Sequence, residues 1–217
     1  MCESATHGVS GGSITISRRL SSMNENIKKV MFNVLKNETV VEYLFQMYSY
    51  DMGTFRHMMH TSIYSAIIAE HYYEFDKVVR IAQGAALHDI GKIMLPLSIL
   101  NKPEPLEEWE YEKVREHPGA GNIIVKGKIH DELINDIILH HHEHPDGCGY
   151  PDGLAGNDIS REVSIVTMVD VFDAMTQARA YHNPIRAEEA LRLMEGWYDT
   201  GYMGILKNYI MKEGLLK

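Results

Sequence analysis

Cysteine is scarce in this 217-residue chain: only Cys2 and Cys148 are present, far apart. That excludes a disulfide-dense scaffold and a four-cysteine zinc site. No run approaches the ~18 apolar residues of a membrane span. The first seventeen residues, MCESATHGVSGGSITIS, lack the apolar core of a signal peptide. Basic residues are outnumbered, 21 Lys and Arg against 30 Asp and Glu, for a net charge of −9. With no long basic run, the chain is a poor candidate for coating DNA or anionic lipid. Neither a nucleic acid polymer nor a membrane is expected as a partner, and a cytoplasmic location is expected. Period-two strands, internal repeats and low-complexity linkers are also missing.

What is present is helical. Apolar residues make up 45% of the chain, and a chain of this size buries roughly 70% of its unfolded surface. Met23 to Tyr50 has helical periodicity, with a break expected near Asn37. Phe55 to Phe75 places His57, His60, Ile63, Tyr64, Ile67 and His71 along one side. Val78 to His88 follows, closed near Gly91. Pro96 to Pro105 reads as a connector. Leu106 to Glu116 is a short helix stopped at His117-Pro118, with another starting after Gly119. Ile129 to His142, Arg161 to Arg179, Ala187 to Trp197 and Ile205 to Met211 complete the set. Pro145 to Gly156 carries too many Gly and Pro for a regular element. The expected fold class is all-α, a compact bundle of helices packed on helices.

Twelve histidines are the unusual feature, and several are clustered. Single helical histidines such as His71 or His130 have an ordinary reading as surface or core residues. The adjacent pairs His88-Asp89 and His141-His142 are harder to dismiss. Neighbours on a helix point ~100° apart, so a pair does not share one ligand face but can serve two metals side by side, or bridge and terminate a two-metal cluster. Imidazole with carboxylate suits iron, zinc or manganese. A dinuclear hydrolase site is favoured over chance clustering.

Order and spacing narrow this further. HDIGK spans residues 88–92, HHEHPDGCGYP spans 141–151, VDVFDAM spans 169–175, and Arg179-Ala180-Tyr181 follows. This pattern resembles the HD-GYP subclass of the HD superfamily of metal-dependent phosphohydrolases, over about Phe55 to Tyr181. The resemblance implies an HD-type helical bundle with a metal centre in its core. It divides the chain into a flexible tail (1–22), accessory or dimerising N-terminal helices (23–52) and a catalytic domain (53–217). No receiver or PAS-type sensor is read ahead of the catalytic unit.

The resemblance also assigns roles. His60, His88, Asp89, His117, His141, His142 and Asp170 match the metal ligands, with Asp89 bridging two divalent ions, iron or manganese. Lys92 and Arg179 match residues that grip substrate phosphate. Gly149, Tyr150 and Pro151 form a loop at the mouth of the site, proposed in this family as a docking surface for diguanylate cyclases. Asp89, Lys92 and Asp173 are the candidate catalytic residues. A third metal is held in some members by a glutamate one turn before the first histidine. Counted from His60 that position is Arg56, so two metals are expected. Ala180 and His182 also depart from the family's Arg-Pro-Tyr and basic pattern. The implied activity is hydrolysis of cyclic di-GMP to linear pGpG by a metal-bridging hydroxide, with further cleavage to GMP disfavoured. The alternatives are a hydrolase of another cyclic dinucleotide, such as cyclic GMP-AMP, and a weakly catalytic module that recruits a diguanylate cyclase.

Overall fold

A computed structural model describes residues 24–177 and 184–214. The order of helices is α1 (Glu25–Lys36), α2 (Glu38–Tyr50), α3 (Met52–Ala69), α4 (Phe75–Leu87), a 3-10 turn (Ile90–Met94), α5 (Leu97–Leu100), α6 (Glu108–Arg115), α7 (His117–Lys126), α8 (Glu132–His140), a second 3-10 turn (Gly156–Asp158), α9 (Arg161–Thr176), α10 (Ala187–Met194) and α11 (Thr200–Lys212). Among the described residues there is no strand. One isolated bridge, Asp146 to Ala155, pinches the Gly-rich loop. None of the described helices is long and apolar enough to cross a membrane.

Caps explain the boundaries. Asn37 ends α1, and its side chain accepts from the Thr39 and Val40 amides to start α2. Helix α3 starts where Asp51 accepts from Thr54 N. It is buried along nearly its whole length, as a central helix must be when every face meets a neighbour. It packs on α4 and α9, α4 packs on α8, and α7 packs on the first 3-10 turn. Helices α1 and α2 add Ile27, Val30, Val34, Val40 and Met47 to the same core. Each such side chain contributes roughly 1.5–3 kcal/mol when fully buried.

Two local expectations change. The connector after Pro96 holds the short helix α5. The stop expected at His117-Pro118 holds, since α6 ends at Arg115 with Glu116 as its cap, but the next helix begins at His117 rather than after Gly119, with Pro118 in the first turn of α7. Proline's missing N–H costs nothing there, because first-turn amides have no partner inside the helix. The result puts His117 at the head of α7, facing the end of α4.

Candidate metal centre

The centre forms where three helix ends and two helix faces converge. Helix α3 supplies His57. Helix α4 ends at Leu87, leaving His88 as its cap and Asp89 beyond it at φ −97°, ψ 6°. The chain leaves helical geometry there, so these neighbours diverge. His117 heads α7, His141 caps α8, His142 follows it, and Asp170 projects from α9.

Two ligand groups result. Asp89, His117, His141 and His142 form one; His57, His88 and Asp170 form the other. Within each, the ligand atoms lie within 4.8 Å of one another. Asp89 faces both: Oδ1 is 3.1 Å from His117 Nε2, and Oδ2 is 3.4 Å from His88 Nε2 and 3.6 Å from His57 Nε2. Asp170 also spans them, with Oδ1 2.8 Å from His57 Nε2 and Oδ2 3.7 Å from His142 Nδ1. Each of the two carboxylates therefore lies against both groups.

The imidazoles are oriented from behind. Nδ1–H donates to a backbone carbonyl one turn back in three cases: His88 to Ala85 (2.7 Å), His117 to Val114 (2.6 Å) and His141 to Ile138 (2.9 Å). His57 Nδ1 donates to Asp173 Oδ2 at 2.7 Å. Such partners fix the tautomer and turn the Nε2 lone pair inward. With both Nδ1 protons committed, His117 and His141 present two acceptor Nε2 atoms to each other at 3.2 Å. That contact is repulsive by itself. Metal–nitrogen bonds of ~2.1 Å span an N···N edge of roughly 3.0–3.4 Å, so one cation relieves it. His88 Nε2 and Asp89 Oδ1 are buried without a hydrogen bond. The donor set therefore fits two divalent ions.

Electrostatics agree. Burial opposes ionisation of Asp89, yet Lys92, with Nζ 2.6 Å from Oδ2, and the neighbouring histidines hold its carboxyl well below the usual range. Burial works the same way against Asp170, and His57 above all holds it well below as well. Burial pushes His117 and His141 below the ordinary imidazole value, and His142 down to about 3. Neutral imidazole and ionised carboxylate are the forms that bind metal.

The structure moves one expected ligand. His60 lies in neither group; its Nδ1 is 3.2 Å from Asp173 Oδ1. His57, one turn earlier on the same face, occupies the place expected for His60. The position one turn before it is then Gly53 rather than Arg56, and glycine has no side chain to donate. Asp173 is fully buried between the two histidines, behind the ligand groups. His141 and His142 do not divide between the groups: they lie past the end of α8, with ring centroids 4.2 Å apart, and turn together toward Asp89. Arg179 lies outside the described residues.

The Gly149-Tyr150-Pro151 loop borders the centre. Tyr150 N donates to the His142 carbonyl (3.1 Å), and its ring lies 4.8 Å from the His142 ring, tilted by 31°. The Arg115 guanidinium covers the Tyr150 ring at 4.6 Å. At Gly149 an added Cβ would meet the backbone of Glu143 and His144 at 2.5 Å, so only glycine allows this approach. Sequence reasoning passed over His57 and Glu143. His57 carried the signal of its i, i+3 relation to His60; Glu143 carried only its adjacency to the histidine pair.

An all-α bundle with paired His/Asp groups at its core defines a class, the HD-type metal-binding helical proteins. The chain belongs to the HD domain family, which it matches over residues 49–202, and its HDIGK and HHEHPDGCGYP strings are of the HD-GYP type. It is 35% identical over 173 residues to the cyclic di-GMP phosphodiesterase PA4108 of Pseudomonas aeruginosa, covering 79% of this chain and 42% of that protein. It is 33% identical over 140 residues to the 3'3'-cGAMP-specific phosphodiesterase 3 of Vibrio cholerae, covering 64% and 30%. The chain thus spans less than half the length of these curated relatives. Among solved structures, Bd1817, an HDG"Y"P protein from Bdellovibrio bacteriovorus, shares the fold with a TM-score of 0.60 at 22% identity, over 71% of this chain and 51% of that one.

Proposed function

We propose that the chain is a metal-dependent phosphodiesterase that hydrolyses cyclic di-GMP to linear pGpG. The observation that carries this reading is the pair of ligand groups joined by Asp89 and Asp170, with Lys92 beside them. His57, His88 and Asp170 would hold one ion, and His117, His141 and His142 the other, with Asp89 shared. Iron and manganese suit these nitrogen and oxygen donors. When bound, the ions supply charge neutralisation at the phosphoryl oxygens and a water of lowered pKa.

The remaining work falls to the chain. Lys92 now pairs with Asp89 and carries a cation that a phosphate oxygen can share. Asp173 holds His57 in its ligating tautomer and takes a positioning role rather than a proton-transfer one. The Tyr150 ring shields His142 from solvent at the mouth. Arg179, by resemblance, grips the second phosphate. Helices α1 and α2 serve as the accessory element, and the rim of the Gly149–Pro151 loop is assigned to diguanylate cyclase docking.

The relative named as 3'3'-cGAMP-specific favours a second reading, in which the mixed ring is the substrate. Metal-loaded protein is incubated with cyclic di-GMP and with 3'3'-cGAMP, and products are resolved with time. Early pGpG from cyclic di-GMP at the higher kcat/KM supports the proposal. A preference for the mixed ring transfers the reading to that substrate. Hydrolysis of neither refutes it, and early accumulation of GMP refutes the single-cleavage part.

A further inference from the structure

Glu143 follows the histidine pair, and its side chain is fully buried. Among the described residues no basic side chain pairs with it. Its carboxylate instead accepts three consecutive backbone amides: Asp152 N to Oε1 at 2.7 Å, Gly153 N to Oε1 at 3.0 Å, and Leu154 N to Oε2 at 3.0 Å. A buried carboxylate is costly unless such charge-assisted bonds compensate it. An apolar side chain would fill the space more cheaply, so the bonds point to a specific task. They tie residues 152–154 to the chain immediately after His142. Gly149 closes the other end of the loop by packing on the Glu143 backbone. Tyr150 is caught between the two ties, where its amide bonds His142 and its ring covers the His142 ring.

We propose that Glu143 is a positioning residue: it fixes the 149–154 loop so that Tyr150 seats against His142 and holds that imidazole in its ligand group. The assignment to catalysis rests on the phosphodiesterase reading, but the positioning itself does not. The loop carries no helix or strand of its own and makes few other backbone bonds, so a single internal anchor dominates its geometry.

The test uses the whole chain as wild type, Glu143→Gln and Glu143→Ala. Hydrogen exchange is read at the 152–154 amides and, as controls, at amides of α3 and α9. Manganese release to a chelator and the kcat and KM for cyclic di-GMP are measured in parallel. In Glu143→Ala, exchange at 152–154 rises by about 100-fold or more while the helix controls stay within about threefold. Manganese release quickens by about tenfold, and kcat falls more than KM rises. Glu143→Gln is intermediate, because one amide oxygen keeps part of the acceptor set, and it serves if the alanine variant does not fold. Unchanged protection at 152–154 in both variants overturns the proposal. So does lost protection with unchanged manganese release. A wild-type chain inactive on cyclic dinucleotides refutes the phosphodiesterase reading alone, and the exchange and release results still decide the role of Glu143.

Discussion

An alanine at position 91 has nowhere to put its methyl group. The added Cβ would lie 2.0 Å from the His117 carbonyl oxygen and 2.6 Å from Gly121 N, both backbone atoms at the head of α7. Real contacts stop near 3.0 Å, so the two segments must part by about 1 Å. That motion carries His117 away from Asp89, now 3.1 Å from its Nε2. Overpacking a tight site costs about 1–3 kcal/mol, and backbone cannot yield as a flexible side chain does, so Gly91→Ala belongs at the upper end. At ~2–4 °C per kcal/mol for a chain of this size, Tm falls by roughly 4–12 °C. Displacing an oriented ligand should also weaken metal binding by at least about tenfold. The control is Gly119→Ala on the same helix, where an added Cβ meets nothing within 4 Å. Alanine is the better helix former there, so stability holds or rises by up to about 1 kcal/mol. Differential scanning calorimetry and manganese titration on both variants decide the matter. A Gly91→Ala protein as stable and as tightly metallated as Gly119→Ala would refute the packing argument.

Other consequences follow from the same contacts. Asp173→Asn should lower metal affinity by about 10–100-fold, the usual cost of losing an orienting partner, because the amide no longer fixes the His57 tautomer; isothermal titration with manganese reads it, and unchanged affinity contradicts the role. Asp131→Ala removes the cap on Leu133 and Ile134 N together with the two bonds from Arg80; the partly exposed ion pair adds little, so urea unfolding should show a loss of about 1–2 kcal/mol, mostly from the cap. Burial keeps His117, His141 and His142 neutral in the folded chain. The unfolded chain takes up those protons below about pH 6.5, so ion-free protein loses stability as pH falls through that value; the urea midpoint should be lower at pH 5.5 than at pH 7.5, and an equal or higher midpoint contradicts the burial argument.

Much of this architecture was legible in the residue order. Periodicity located the main helices, and Asn37 marked the α1–α2 break because its backbone N–H donates to Val34 O at the end of one helix while its side-chain oxygen caps the next. The HDIGK and HHE strings marked the centre because each places chemistry at a helix end, where consecutive side chains are free to diverge or converge. What local pattern cannot decide is the rotation of a fully buried helix. Helix α3 is buried along nearly its whole length, so nothing in its sequence distinguishes His57 from His60; contact with α9 does, by setting Asp170 against one and Asp173 against both. Pro118 marked the end of α6 correctly but hid the start of α7, since the same proline that ends one helix fits the first turn of the next. Glu143 was unreadable because its partners are backbone amides, which leave no trace in composition.

Metal stoichiometry tests the central claim most directly. Protein purified anaerobically is loaded with manganese or ferrous iron, freed of excess ion, and assayed for bound metal per chain, alongside His57→Ala and His60→Ala. Two ions per wild-type chain, one in His57→Ala and two in His60→Ala are predicted, since His57 lies within a ligand group and His60 behind it. One ion or none in the wild type, or a loss confined to His60→Ala, would contradict the account.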